Sequence, residues 1–310
     1  MSTPIAVIIP CRNAAPFLAE ALASVAAQTR SAHEVVVIDD ASTDGSADIA
    51  RAAGVQVIRS ETPLGNAEAR NVGLRATTSP LIAFLDADDV WLPPHLATLA
   101  ALLEQWPDAG AAFATCEVFG SGTGLHRGFL AEGPPQDAFE NCLRWWVGQP
   151  TGCMVRRSTL DRAGGFDPTY PVGVDFDCWL RLAREAPFVA THAVTARYRR
   201  HPGQVSGDGR RQTAMCWRAR YAMRDRLIAE GDPRAARVSD VLAEWWEASC
   251  RRAWDAGDQD SVRFLVSIPP RWATDRPAVP QWQARARIPA WCVRLWHRSG
   301  LGVTWQRLRQ

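Results

Sequence analysis

Short apolar runs alternate with helical stripes over the first two thirds of the chain. Residues 5–9 (IAVII) are continuously apolar and stop at Pro10, which predicts a strand buried on both faces. After the PCRN turn, Phe17, Leu18, Ala21, Leu22 and Val25 recur at three- and four-residue steps and predict a helix over about 16–27. A second strand is predicted at 35–38, a capped helix from the Asp/Ser/Thr cluster at 39–45 to Gly54, and a third strand at 55–58. A helix over 64–75 then feeds a strand at 81–85, and a helix carrying Leu96, Leu99, Leu102, Leu103 and Trp106 leads to a strand at 111–119.

The stretch 120–135 is rich in Gly, Ser and Pro and is expected to be a long loop. Beyond it the pattern predicts a helix at 137–147, a strand at 151–155, a short helix at 158–165 and a helix begun by Asp175 with Phe176, Trp179, Leu180 and Ala183 inward. A last strand is predicted at 188–198. From about Arg210 only helical patterns remain, at 215–230 and 233–256, the second with Asp232 as cap and Pro233 at its start. The reading is an α/β fold with a mostly parallel central sheet flanked by helices, plus an all-helical C-terminal appendage, divided near Asp208 into 1–208 and 209–310.

Composition narrows this little. With 47% hydrophobic residues and a net charge of +2, the 310-residue chain is neither disordered nor collagenous, and bulk charge names no partner. Lys is absent, so all 35 basic side chains counted are Arg and any Lys-dependent chemistry is excluded. The eight cysteines are scattered without CxxC or zinc spacing, which predicts free thiols in a reducing cytosol. Neither a signal peptide nor a membrane-spanning run is expected.

The chemistry concentrates at LIAFLDADDVWLPP, residues 81–94, where an apolar run ends in Asp86, Asp88 and Asp89. Carboxylates at that spacing repel one another, and a hard divalent cation with oxygen ligands relieves the repulsion. A helix N-terminus is the competing reading, because Asp is favoured at caps and a helical pattern follows Pro93 and Pro94. At the other end of the chain, residues 276–310 hold seven Arg and no acid, interleaved with Trp282, Trp291, Trp296 and Trp305. Three readings stand there: a packed amphipathic helix with a basic face, an anionic membrane surface contact, and stacking on nucleic acid, for which no motif is present.

The series VIIPCRN, VVVIDDASTDGS, GNAEARNVGL, FLDADD, GGFD, GVDFDCWLRLA and YRRHPGQVS, in this order, resembles a family 2 inverting glycosyltransferase of the GT-A nucleotide-sugar fold over residues 5–206. The resemblance implies a nucleotide-binding half at 1–110 and an acceptor half at 111–208. Pro10 and Arg12 would wall the nucleotide, and Asp40, with Asp39 beside it, would hydrogen-bond its base or ribose. Arg70 and Asn71 would support the base and the acidic motif, with Ala87 also on the nucleotide side. Asp86 and Asp88 match a DxD motif that holds Mn²⁺ or Mg²⁺ on the donor diphosphate, and His201 matches a His near that metal.

Asp175 matches the general base that takes the acceptor hydroxyl's proton, with Asp177 as its competitor; Val174 stands where the family usually has Glu. On the acceptor side the resemblance and composition mark Trp145, Trp146, Gly164 and Gly165. The implied reaction moves a sugar from a nucleotide-diphosphate donor, UDP-sugar by family prevalence, to a saccharide or lipid-linked acceptor, without nucleic acid. The expected setting is the cytoplasm, with peripheral membrane contact through 276–310. The rival readings are an inactive nucleotide-sugar binder, suggested by Val174, and a haloacid-dehalogenase-like phosphatase, disfavoured by the missing Lys and the mid-chain motif.

Overall fold

The continuous apolar runs form the parallel core of one nine-stranded sheet. The structure, a computed structural model, describes residues 2–145, 147–204, 209–267, 278–289 and 293. The chain divides into two compact units, Met1–Ala219 and Arg220–Gln310. The first unit holds the whole sheet.

Strands β1 (Ile5–Cys11), β2 (Glu34–Asp40), β3 (Gln56–Ser60) and β4 (Leu81–Phe84) run parallel in the order β3-β2-β1-β4. Beyond β4 the sheet turns mixed. With β5 (Val90–Trp91), β6 (Ala111–Gly120), β7 (Gly124–His126), β8 (Cys153–Arg156) and β9 (Phe188–Arg200), the order continues β8-β6-β9-β5, and β7 pairs with the far end of β6. Strand β8 is antiparallel to both β4 and β6, whereas β6 and β9 are parallel. The carboxyl ends of β1, β2, β4, β6 and β9 therefore lie along one edge, together with the start of β8.

Helices α1 (Ala15–Ala26), α2 (Ser46–Ala52), α3 (Asn66–Ala76), α4 (His95–Gln105), α5 (Phe139–Arg144), α6 (Arg157–Ala163) and α7 (Val174–Glu185) join these strands. The α1 stripe is buried as its spacing predicts, through Leu18, Ala21, Leu22 and Val25. Its first turn has no cap of its own. The N–H of Ala14 donates to Ser46 Oγ at 2.9 Å and that of Ala15 to Asp44 Oδ2 at 3.0 Å, so the Asp/Ser/Thr cluster after β2 caps the neighbouring helix and sews two cleft loops together. Helix α3 approaches β1 so closely that a Cβ on Gly73 would sit 2.4 Å from Ile8 Cγ2, which makes glycine a packing requirement there.

Two elements depart from the sequence pattern. The stretch expected as a long loop contains β7, and the two-residue β5 lies where only an approach to α4 was expected. The run expected as a strand from residue 151 opens as a 3₁₀ turn, Pro150–Gly152, before β8 begins at Cys153. None of the described helices is long and apolar enough to cross a membrane.

Helix α8 (Gly209–Ala229) spans the division between units, and the second unit continues with α9 (Arg234–Asp255), α10 (Gln259–Ser267) and α11 (Ala278–Ala286). Asp232 caps α9 as expected, its Oδ1 accepting the Arg234 N–H at 2.9 Å. Trp246 is buried and donates to the Leu265 carbonyl at 2.9 Å. Trp282 from the basic tail is also buried, with the Arg285 guanidinium 4.5 Å from its ring centroid. That side chain is part of the helical packing rather than a face for lipid or bases. Trp291, Trp296 and Trp305 lie outside the described residues.

Glu34, at the start of β2, fixes the loop that launches β4. Its carboxylate accepts the N–H of Thr78 at 3.0 Å and of Ser79 at 2.8 Å, and the Ser79 hydroxyl. Burial pushes the Glu34 carboxyl up, but the Ser79 hydroxyl, the two N–H groups and Arg157 outweigh it and the net direction is down. A depressed carboxyl contributes stability in full above its unfolded value, about 4.3, and loses it as pH falls through the folded value. Glu34→Gln is therefore expected to cost about 1–2 kcal/mol at pH 7 and less at about pH 3. Denaturant midpoints at the two pH values check this, and a gap independent of pH would refute it.

Candidate functional site

The shared carboxyl edge opens into a cleft of about 420 Å³. Its walls come from separate elements: Pro10 near the end of β1 and Arg12 just after it, Asp40 at the end of β2, Arg70 on α3, Asp86 to Asp88 after β4, Asp175 on the first turn of α7, and His201 after β9. Ala87 lines it as well. Residues on a strand alternate between faces, so adjacent Asp39 and Asp40 are sent apart.

Asp40 faces the cleft and accepts the N–H groups of Leu64 and Gly65, the latter at 3.1 Å. Asp39 is fully buried outside the cleft, with Arg59 NH1 2.6 Å from Oδ2 and the Ser42 N–H 3.2 Å from Oδ1. It holds the loop after β2 instead of facing a nucleotide. Two non-glycine residues with positive φ, Asn13 at 50° and Ala41 at 53°, sit in the paired loops beside it. Asn tolerates this conformation, and Asn13 Oδ1 is held by the Thr43 N–H at 2.8 Å, whereas Ala41 stores of order 1 kcal/mol of strain.

The acidic turn is held from three sides. Arg70 is buried, and its guanidinium pairs with Asp86 Oδ1 and with Asn66 Oδ1, the latter at 2.7 Å. Burial pushes the Asp86 carboxyl up, Arg70 pulls it down, and Asp88 and Asp175 push it up again, leaving the net direction upward. Asp88 Oδ2 lies 3.0 Å from His201 Nε2. Asp89 is buried away from the cleft, accepting the Thr151 hydroxyl at 2.5 Å and the Arg199 N–H at 2.8 Å. Burial and then Asp88 and Asp86 drive its carboxyl well above the usual range.

Strand β5 explains why these groups meet: Val90 pairs with Arg197 on β9, which lays the acidic turn beside the end of that strand. Arg199, which the sequence reading did not single out although it stands in YRRH, locks the arrangement. Its Nε donates to the Asp88 carbonyl at 2.7 Å, and its guanidinium pairs with Glu20 at 2.5 Å. The same guanidinium stacks over Phe119 at 4.3 Å and Phe17 at 5.0 Å, and Phe17 packs against the His201 ring at 4.7 Å.

Several marked residues serve the site from outside it. Asn71 does not line the cleft; its side chain accepts the Phe166 N–H at 2.9 Å and donates to the Phe166 carbonyl at 2.7 Å, clamping the GGFD turn. Gly164 closes α6 in the left-handed region, and Gly165, at φ 67°, would put a Cβ 2.9 Å from Asn71 Oδ1. Asp177 is buried against Arg181 at 2.6 Å and does not line the cleft, whereas Asp175 does. Val174 is buried beside it. Trp145 stacks on Phe129 at 4.7 Å and does not line the cleft, and Trp146 lies outside the described residues. The cleft also contains Tyr198 and Gln204 of the YRRHPGQVS segment, and Gln149 and Gln212, which carry no local sequence signal.

Among the described residues no three His, Cys, Asp or Glu side chains converge as a complete metal site. The donor set still suits one class of ion. Asp88 and His201 present one oxygen and one nitrogen 3.0 Å apart, the separation of neighbouring ligands around a small octahedral cation with bonds of about 2.1 Å. Cations that bind through one or two protein ligands complete their shell with substrate phosphates and water. Asp86, engaged by Arg70, stands behind this pair rather than within it.

Residues 6–164 match the family described as Glycosyl transferase family 2. The chain is 47% identical over 102 residues to the succinoglycan biosynthesis protein ExoU of Rhizobium meliloti, a match covering 31% of this chain and 30% of that protein. It is 27% identical over 218 residues to the Escherichia coli protein named UDP-Glc:alpha-D-GlcNAc-diphosphoundecaprenol beta-1,3-glucosyltransferase WfaP, covering 66% and 80%. Coverage of the three curated relatives that head the comparison is 30%, 66% and 54% of their lengths. Among solved structures, S. aureus TarS 1–349 in complex with UDP-GlcNAc superposes with a TM-score of 0.73 at 18% identity, over 96% of this chain and 92% of that one. The fold is that of the GT-A glycosyltransferases.

The Arg70–Asp86 pair yields a thermodynamic cycle. Removing one partner leaves a buried charge unpaired, so Arg70→Leu is expected to cost about 3–5 kcal/mol. Adding Asp86→Asn should recover a substantial part of the loss. Equilibrium unfolding of the four proteins measures the coupling, and simple additivity would show that the pair does not hold the turn.

Proposed function

Since the chain belongs to glycosyl transferase family 2, we propose that it transfers a sugar, with inversion, from a nucleotide-diphosphate donor to a hydroxyl of a saccharide or lipid-linked acceptor. A UDP-sugar is the favoured donor, and the product serves synthesis of a polysaccharide or glycoconjugate. The observation that carries this reading is the meeting of Asp40, the Asp86 to Asp88 turn, Asp175 and His201 in one cleft. The names of the relatives support it: one belongs to succinoglycan biosynthesis, and WfaP is named for a UDP-sugar donor and a diphosphoundecaprenol acceptor. A lipid-linked acceptor would bring the reaction to a membrane surface.

Asp40 offers a fixed carboxylate to a donor N–H of the base or to a ribose hydroxyl, with Pro10 and the exposed Arg12 walling that end of the cleft. Asp88 and His201 would hold Mn²⁺ or Mg²⁺, and Arg70 keeps Asp86 in place behind them. A divalent cation there would neutralise charge developing on the diphosphate leaving group. Arg199 and β5 keep the Asp88 backbone fixed, so little reorganisation is needed during transfer. Asp175 takes the proton of the acceptor hydroxyl as its oxygen attacks the anomeric carbon. Val174 leaves an apolar surface where the family usually has Glu, so acceptor contacts next to the base are apolar.

Asp175→Asn is expected to lower turnover by about 10²–10⁴ with donor binding intact. Asp88→Asn should instead abolish the Mn²⁺-dependent part of the melting-point rise produced by a UDP-sugar. The checks are a thermal-shift panel of nucleotide-sugars with and without Mn²⁺, and UDP release with acceptor glycosides. Near-wild-type turnover in the first variant would move the base elsewhere, and an unchanged Mn²⁺ response in the second would remove Asp88 from the metal.

A further inference from the structure

Three arginines close strand β9, and two of them have an acid. Arg197 pairs with Glu117 at 2.9 Å and Arg199 with Glu20 at 2.5 Å, whereas Arg200 has no carboxylate partner among the described residues. The Arg200 backbone is fixed while its side chain is exposed. The Ser121 N–H donates to its carbonyl at 2.9 Å. Gly120, at φ 89°, would put a Cβ 2.5 Å from that carbonyl oxygen, so the β6–β7 turn can pass there only as glycine. The side-chain stem lies along Gly122, where a Cβ would come 3.3 Å from Arg200 Cγ, and the guanidinium stands 5.8 Å from the Tyr198 ring centroid.

This guanidinium faces a second cavity, an open groove of about 390 Å³ lined by Ser121, Thr123 and His126 together with Val118 and Leu125. The groove shares a wall with the donor cleft. His126 stacks on Tyr198 with centroids 5.0 Å apart, and its Nδ1 accepts from the Gln149 amide at 3.0 Å. Tyr198 and Gln149 line the cleft on the other side of that contact. Burial, and then the positive charge of Arg200, push the His126 imidazole below its ordinary value. The two cavities differ in charge balance. Asp40, Asp86, Asp88 and Asp175 outnumber Arg12 and Arg70 in the cleft lining, while the groove presents a cation and hydroxyls with no acid in its lining.

We propose that the groove is an acceptor subsite that binds an oxyanion carried by the acceptor, a phosphate or a carboxylate, with Arg200 as its ligand. The proposal rests on the transferase reading above. A guanidinium fork matches either anion with two parallel hydrogen bonds, and Ser121 and Thr123 supply hydroxyl donors beside it. An acceptor held this way keeps its negative group out of the acidic cleft while its hydroxyl reaches across the Tyr198 wall.

The test uses the full chain saturated with UDP and Mg²⁺, so that the diphosphate position is filled, and ligand-observed NMR titrations of glucose 1-phosphate, methyl glucuronide and methyl glucoside. The expected result is that one or both anions bind at least about tenfold tighter than the neutral glucoside. Arg200→Gln should erase that preference and Arg200→Lys should keep part of it, consistent with charge-assisted hydrogen bonds. The phosphate and carboxylate arms identify which anion is preferred. No preference in the wild-type protein, or a preference that survives in Arg200→Gln, overturns the proposal. UDP affinity, read in a separate titration, reports on the donor reading alone: its absence in the wild-type protein overturns that reading, and the three sugars titrated without UDP still read the groove.

Discussion

Everything at the cleft depends on keeping several carboxylates together in a place with little water. Asp88 and Asp175 stand near enough to push the Asp86 carboxyl up, and Asp89 is buried beside them. Such a cluster is unstable unless each charge is met, because desolvation and like-charge repulsion act in the same direction. The chain meets it from different elements: the Arg70 guanidinium from α3 takes Asp86, while on β9 the Arg199 backbone N–H donates to the Asp89 carboxylate and its Nε to the Asp88 carbonyl. A planar guanidinium serves this better than an ammonium would, since Arg199 donates to a carbonyl, pairs with Glu20 and stacks on two phenylalanines at once. On the cleft side of this arrangement Asp88 and His201 face each other at 3.0 Å.

The sheet order makes that arrangement possible. Parallel β2, β1 and β4 deliver Asp40, Arg12 and Asp86 to neighbouring positions on one edge. Antiparallel β8 returns its beginning to the same edge, so Thr151 sits under the acidic turn, its hydroxyl on Asp89 and its carbonyl on the Trp91 indole. The two-residue β5 then fastens the turn to β9. A pair of residues separated by Leu92 from two prolines has no periodicity to read, which is why that strand was invisible in the sequence although the acidic turn depends on it.

Elements with a long apolar period were legible, and so were the acids that end them. What the pattern could not supply was the face each side chain takes. Asp39 and Asp40 are chemically identical in sequence, and only the two-residue alternation of β2, with Arg59 on β3 waiting for the inner one, separates a loop anchor from a cleft carboxylate. Asp175 and Asp177 pose the same problem on a helix. They stand two residues apart, about 200° around the axis, so Arg181 one turn on claims Asp177 and leaves Asp175 at the cleft. Asn71 and Gly165 were marked for separate roles, yet each has its form because of the other. Trp145 shows the limit of composition: an aromatic residue suited to a sugar ring is used on Phe129.

The end of β9 carries the same alternation into the division between the two cavities. Arg199 turns toward Phe17, Phe119 and the acidic turn, whereas Tyr198 and Arg200, on the opposite face, turn toward the wall and the groove. One strand thus sends one guanidinium to the backbone of the acidic turn and the next to a groove whose lining has no acid. A chain crowding this many arginines into four residues must either neutralise them or give them something to bind. Glu117 and Glu20 neutralise two. A turn of small residues, with glycine imposed at position 120 by the Arg200 carbonyl, is folded around the third instead of an acid being placed beside it. That choice leaves a guanidinium without an acid one side chain, Tyr198, away from the cleft.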